Sequence, residues 1–255
     1  MVWRWKAFIW FARVSLVGLK GNLGNVVFSL VIPAHNEAKQ LPAAVAAAVG
    51  ALDGINFEII IAEDGSSDGS LAVAEALAKK DARVRVSHSD EKLGRGRALC
   101  RAFHMARGEI VGYMDADLST EPKYLKALVA AAREADYVTG GRYLPASSTA
   151  RGAKRYAFSK GFNWLVRLLL GSKLGDHQCG FKAIRRSEAL ELCALARENH
   201  WFWDTETLVL SQRRGKKVIE IPVEWRESTR ESKVNLLKDA LSMGSAIARM
   251  RLRRY

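Results

Sequence analysis

Residues 109–119 read Glu109-Ile110-Val111-Gly112-Tyr113-Met114-Asp115-Ala116-Asp117-Leu118-Ser119. An apolar run that stops on an acid, with a second acid one residue on, reads as a buried strand with charged groups at its carboxyl end. Working outward, residues 26–33 form another continuous apolar run, ended by Pro33, and residues 57–62 a third, closed by Glu63, Asp64 and Gly65. Residues 84–87 read as a shorter strand. Between these, 41–52, 70–80, 96–106 and 122–132 read as helices, the first Ala-rich and the last with Pro122 suited to a first turn. Short strands that are apolar throughout, alternating with helices, predict an α/β fold with a mostly parallel sheet covered on both faces. Ligands in such sheets bind beyond the carboxyl ends of the strands. Those ends are residues 33–37, 63–68 and 115–119.

The first of these loops has no GxGxxG, and GxxxxGK[ST] occurs nowhere, so neither a dinucleotide fingerprint nor a P-loop is supported. The acids carry the signal instead. A carboxylate at a strand end can accept both hydroxyls of a ribose. Two carboxylates one residue apart can hold a hard divalent cation between themselves and a pyrophosphate, since Mg²⁺ needs only one or two protein carboxylates plus phosphate oxygens. A lone DxD usually means two surface acids on a loop. One that follows a buried strand, downstream of a second acidic strand end, points to a metal–diphosphate site.

The chain has 255 residues, 49% hydrophobic and 26% charged, with a formal net charge of +13. That composition argues against disorder, and the length suits one large domain or two small ones. Residues 1–25 carry +4 and residues 233–255 carry +5, so the ends hold most of the excess. Trp3, Trp5, Phe8, Trp10 and Phe11 mix with Arg4, Lys6 and Arg13, a pattern suited to the headgroup region of a membrane or to a helix packed on the protein's own body. Lys6, Arg13 and Lys20 interrupt the run too often for a membrane span. From about Val234 the C-terminus reads as an amphipathic basic helix, with Leu237, Leu241, Gly244, Ile247 and Ala248 on the apolar face. Three cysteines without a CxxC spacing fit free thiols in a reducing compartment.

Several stretches, in order, resemble glycosyltransferase family 2, in the branch of dolichyl-phosphate mannosyl- and glucosyltransferases. They are residues 29–37 (SLVIPAHNE), 58–69 (EIIIAEDGSSDG), 94–96 (GRG), 106–108 (ARG), 114–118 (MDADL), 140–143 (GGRY), 178–182 (QCGFK) and 232–233 (SK). The resemblance spans roughly 28–235. It implies a GT-A fold, here one domain over 26–232 with a Rossmann-like sheet, between an N-terminal segment 1–25 and a C-terminal helix 233–255. It also implies a nucleotide-sugar donor (UDP- or GDP-hexose), Mg²⁺ or Mn²⁺, and inverting transfer of glucose or mannose to a polyprenyl or dolichyl phosphate. The protein is then expected on the cytoplasmic face of a membrane, held peripherally or by an interfacial anchor, with no nucleic-acid partner.

By the same resemblance, Pro33, Ala34, Glu37 and Asp64 would line the nucleotide. Arg95, where the family usually has lysine, would keep positive charge near the donor. Asp115 and Asp117 would bind metal and diphosphate, with Ser119 at a position that in some members also ligates. Arg142 and Arg155 would bind the acceptor phosphate, and Lys233 donor or acceptor phosphate, with Arg226 and Arg230 both open for one further basic position. Asp204 and Glu206 align with a late acidic motif. For a hydroxyl acceptor one of them would be the general base; otherwise they are structural acids at a helix N-terminus. Two other readings stand beside the lipid-phosphate one: a transferase acting on a soluble or polysaccharide hydroxyl, and a catalytically inactive basic module binding lipid or nucleic acid.

Overall fold

The computed structural model describes residues 26–150, 152–227 and 236–253; the aromatic segment 1–25, Arg230 and Lys233 lie outside them. The quoted runs become β1 (Phe28–Ala34), β2 (Phe57–Glu63), β3 (Val84–Ser87) and β4 (Ile110–Met114). Alternate residues of β1 and β2 enter opposite cores. Phe28, Leu30, Ile32, Ile59 and Ile61 join one apolar cluster, and Val31, Ile60 and Ala62 the other. Both faces are dry, so the strands show no polar alternation.

Downstream follow β5 (Tyr137–Gly141), β6 (Ser148–Ala150), β7 (Phe181–Arg185), β8 (Val218–Pro222) and β9 (Glu224–Arg226). The main sheet runs β3-β2-β1-β4-β7-β5-β8, and β6 pairs with β9 in a small parallel ribbon. Only β7 opposes its neighbours; the other pairings in the main sheet are parallel. The mostly parallel sheet is as expected. Its chain path moves from β1 out to β3, then returns to β4 on the other side of β1. That reversal makes the ends of β1 and β4 a topological switch point, the place where α/β sheets bind ligands.

The helices in chain order are α1 (Leu41–Ala51), α2 (Ser70–Lys80), α3 (Arg95–Met105), α4 (Leu125–Glu134), α5 (Ala153–Leu170), α6 (Arg186–Leu195), α7 (Trp203–Arg213) and α8 (Leu236–Leu252). The first, second and fourth cover one face of the sheet, and the other five the opposite face.

Two expectations are corrected. Cys100 on α3 and Cys193 on α6 form a disulfide, with Cα atoms 5.5 Å apart and a sequence separation of 93. Packing of two helices brings them together, which spacing along the chain does not reveal, and the argument for a reducing compartment loses its basis. Cys179 remains a free, buried thiol. The C-terminal helix also turns a different face inward. Ala246, Ile247 and Met250 are buried, while Gly244 and Ala248 are exposed. Met243, Ile247 and Met250 lie at i, i+4, i+7, and this row, not the one through Gly244, meets the body. Arg249 and Arg253 pair with Glu198, so part of the basic cluster is neutralised within the protein.

Candidate active site

The three acidic loops do meet at one edge of the sheet. The turn after β1 is stitched to the turn after β2: Ser67 N donates to Asn36 Oδ1 (2.8 Å), Glu37 N to Ser70 Oγ (2.8 Å) and Ala38 N to Asp68 Oδ2 (3.1 Å). Asn36 takes φ 57°, a left-handed conformation that asparagine tolerates better than most residues. Pro33 and Glu37 are half-buried and Ala34 is buried along this wall.

Asp64 is only 4% exposed, and its two carboxylate oxygens accept the backbone N–H groups of Leu93 (3.0 Å) and Gly94 (2.9 Å). Its carboxylate therefore clamps the turn that starts α3. Glu63 accepts from Ser66 N and lies 2.5 Å from His88, whose proton affinity rises beside it. Gly94 has φ 100°, and a Cβ at Gly96 would come within 2.5 Å of Trp203. Gly96 lets the first turn of α3 settle onto Trp203, and Gly94 lets the chain before it pass against Asn199 and His200, with Arg95 between them reaching the end of β4.

Arg95 is the hub of the site. Its NH1 lies 2.7 Å from Asp115 Oδ1 and its Nε 3.3 Å from Asp204 Oδ2. The guanidinium stacks near the rings of Tyr113 (5.4 Å) and the largely exposed Trp201 (5.5 Å). Asp115 is partly exposed and Asp117 exposed. Burial pushes the Asp115 carboxyl up, helped by Asp117 and Asp204 and opposed by Arg95. Leu118 takes φ 55°, uncommon for leucine, which turns the chain so that Ser119 N donates to Asp117 Oδ1 (3.0 Å). Ser119 itself is buried. A Cβ at Gly180 would fall 1.8 Å from Asp115 Oδ2, so Gly180 gives up the space that the carboxylate fills.

Asp204 is placed otherwise than a general base would be. Its carboxylate is buried and receives Lys182 Nζ (3.0 Å), the Tyr113 hydroxyl and Arg95. Burial alone would raise its pKa, but Lys182 and Arg95 outweigh burial and hold it below the usual range. A carboxylate whose oxygens are already occupied, and whose pKa is held down, is a poor proton acceptor. Glu206 is buried as well and accepts the N–H groups of Arg197 (3.0 Å) and Glu198 (2.9 Å), so it caps a loop.

The expected acceptor side is partly engaged. Arg142 is buried and grips Asp176 in a fork, Nε to Oδ2 at 2.7 Å and NH2 to Oδ1 at 2.8 Å. Arg155 is paired with Glu227, and Arg226 is exposed. His177 is buried between Asn163 and Ser172, and burial lowers its pKa to about 4. Lys182, Tyr113, Asp176 and Gly180 were given no role from the sequence. Lys182 left a signal, because a lysine beside Phe181, Ala183 and Ile184 in a dry strand needs a buried anion.

Among the described residues no group of three or more His, Cys, Asp or Glu side chains could hold a metal alone. Asp115 and Asp117 still fit one shared with a ligand: they are two hard oxygen donors just past the end of β4, with Gly180 leaving the space that the Asp115 carboxylate fills.

Residues 29–191 match the family described as Glycosyl transferase family 2. Glycosyltransferase AglD of Haloferax volcanii is 46% identical over 231 residues, covering 88% of this chain and 37% of that protein. Dolichyl-phosphate beta-glucosyltransferase ALG5C of Trichomonas vaginalis is 30% identical over 218 residues, 80% of this chain and 65% of that one. The Drosophila melanogaster dolichyl-phosphate beta-glucosyltransferase is 31% identical over 221 residues, 80% and 68%. The chain thus spans little more than a third of the first relative and about two thirds of the others. The crystal structure of glucosyl-3-phosphoglycerate synthase from Mycobacterium tuberculosis with UDP superposes with a TM-score of 0.69 at 19% identity, covering 91% of this chain and 82% of that one. The same enzyme with Mn²⁺, UDP and phosphoglyceric acid gives 0.68. At that identity the likeness is one of fold.

Proposed function

The chain belongs to glycosyl transferase family 2, and from that premise we propose that it moves a hexose from a nucleoside-diphosphate sugar to a polyprenyl or dolichyl phosphate, with inversion. The observation that carries the reading is the pair Asp115 and Asp117 at the end of β4, at the sheet's switch point, with Arg95 against Asp115. The names of the relatives favour glucose over mannose.

The donor would lie across the ends of β1 and β4, its nucleoside along Pro33, Ala34 and Glu37 and its diphosphate at Asp115 and Asp117. Mg²⁺ or Mn²⁺ held there would neutralise charge on the departing diphosphate. Arg95 adds a second positive charge on the same side and opposes the upward push that burial gives the Asp115 carboxyl. Asp64 acts by holding the Leu93–Gly94 turn from which Arg95 projects.

The acceptor phosphate needs no base. Its second pKa is about 6, so at neutral pH it is already a nucleophile, and positioning is what it lacks. Arg142, with Asp176 holding its guanidinium, is a rigid element of that wall, with Arg155 and Lys233 as the remaining candidates. A hydroxyl acceptor would need a free carboxylate, and the saturation of Asp204 weighs against it.

The test is a donor screen with radiolabelled UDP-glucose, GDP-mannose and related sugars, Mn²⁺ and dolichyl phosphate, followed by organic extraction. Label from UDP-glucose should enter the organic phase and vanish in Asp117→Asn. No label with any donor would sink the proposal.

A further inference from the structure

Eight large hydrophobic side chains are exposed among the described residues, and five of them lie on α5: Tyr156, Trp164, Leu165, Leu168 and Leu169. The helix does not need them to stay in place. Its Phe162, Val166 and Leu170 are buried in the same cluster as Ala246, Ile247 and Met250 of α8. At about 100° per residue, Ala157, Gly161, Trp164 and Leu168 form one stripe directly opposite Val166. All four are exposed, Trp164 by 59% and Leu168 by 62%. A Cβ at Gly161 would meet nothing within 4 Å. The helix therefore has two apolar faces, one seated in the core and one outward.

Charge says what the outward face suits. Between Ala153 and Leu170 the sequence holds four bases and no acid. Arg155 is taken by Glu227, while Lys160 and Arg167 run along one edge of the stripe and Lys154 sits near its start, all three exposed. An apolar crest carrying a tryptophan, edged by bases and free of acids, complements a bilayer surface with anionic headgroups. No helix among the described residues is long and apolar enough to cross a membrane, so the contact would lie along the surface. The helix also leads to the acceptor wall: Tyr143, next to Arg142, donates to Ser159 Oγ (2.7 Å) and meets the Tyr156 ring edge-on at 5.5 Å.

We infer that the outward face of α5 docks the protein onto an anionic lipid surface, with Trp164 and Leu168 entering the headgroup layer and Lys160 and Arg167 meeting lipid phosphates. This rests on the lipid-phosphate reading above and adds a membrane contact separate from the two chain ends. Docking in this way sets the Arg142–Tyr143 wall beside the membrane, where a lipid-borne phosphate would arrive.

The experiment is flotation of the full chain with vesicles of phosphatidylcholine, with and without phosphatidylglycerol. Wild type should bind, more tightly when phosphatidylglycerol is present. W164Q/L168Q should weaken binding by about tenfold or more, while circular dichroism stays unchanged. K160Q/R167Q should remove most of the preference for phosphatidylglycerol. Equal binding by wild type and W164Q/L168Q overturns the proposal, as does absence of binding by wild type. So does light scattering that finds wild type dimeric and W164Q/L168Q monomeric, because a second copy would then cover the face. Transfer to a short, water-soluble prenyl phosphate without vesicles should be the same in wild type and W164Q/L168Q. If wild type glycosylates no prenyl phosphate, the acceptor reading fails, and the vesicle result still decides the role of α5.

Discussion

Lys182 Nζ stands 3.0 Å from Asp204 Oδ1, with the lysine side chain wholly buried and the aspartate nearly so. Neither charge is affordable alone in that setting. Removing one member of a buried pair strands the other, at a cost of about 3–5 kcal/mol. Asp204 keeps Arg95 and the Tyr113 hydroxyl when Lys182 is lost, so Lys182→Met should lower unfolding stability by less than that, about 1–3 kcal/mol in urea titrations. K182M/D204N, which removes both charges, should recover part of the loss.

The same pair decides between acceptors. If Asp204 serves to fix Lys182, Tyr113 and Arg95, then Asp204→Asn should impair donor affinity more than turnover, with kcat within about tenfold of wild type. Loss of a general base would cost about 10²–10⁴ in kcat. Steady-state kinetics on protein shown to be folded separates the two.

The strands were legible in the sequence because both faces of the sheet are dry, and Asp115 and Asp117 because a strand end and its acids are neighbours in the chain. The pairs that define the rest of the site are not neighbours. Arg142 and Asp176 are 34 residues apart, Lys182 and Asp204 are 22 apart, and Cys100 and Cys193 are 93 apart. Each meets its partner only after the sheet and its helices have assembled. For the same reason the sequence leaves Asp204 open between a base and a structural acid at a helix N-terminus: its position in a motif is visible, but the three donors that occupy it come from β4, β7 and α3. Arg142 is visible in the sequence as a candidate for phosphate, but its partner Asp176 is not, because α5 lies between the two in the chain.

The buried His177 ties stability to pH. Its pKa falls from about 6.5 to about 4 on folding, so between those values the unfolded chain binds more protons than the folded one. Stability from this residue is intact above pH ~6.5 and drains away on acidification towards pH ~4, by about 3 kcal/mol in all. Urea titrations at a series of pH values across that window should show the decline, and His177→Gln should flatten it.

The Cys100–Cys193 bridge closes a long loop between two helices of one face. Disulfides typically contribute about 2–4 kcal/mol, chiefly by restricting the unfolded chain. C100S/C193S, or reduction of the wild type, should lower the denaturation midpoint accordingly. Alkylation of the unreduced, unfolded chain should tag one thiol, Cys179. Three tagged thiols would exclude the bridge.

Gly180 tests the metal–diphosphate site without touching a ligand. A methyl group there would lie 1.8 Å from Asp115 Oδ2, well inside any allowed contact, so either the carboxylate or the backbone ahead of β7 must move. The carboxylate is the softer of the two, because it is partly exposed and its other oxygen is held by the Arg95 side chain. Gly180→Ala should therefore leave the fold intact and displace Asp115. A shift of about 1 Å in such a group can cost on the order of 10²-fold in rate. Transfer should fall by that order, with Mn²⁺ needed at higher concentration, whereas Gly161→Ala on the open face of α5 should change neither.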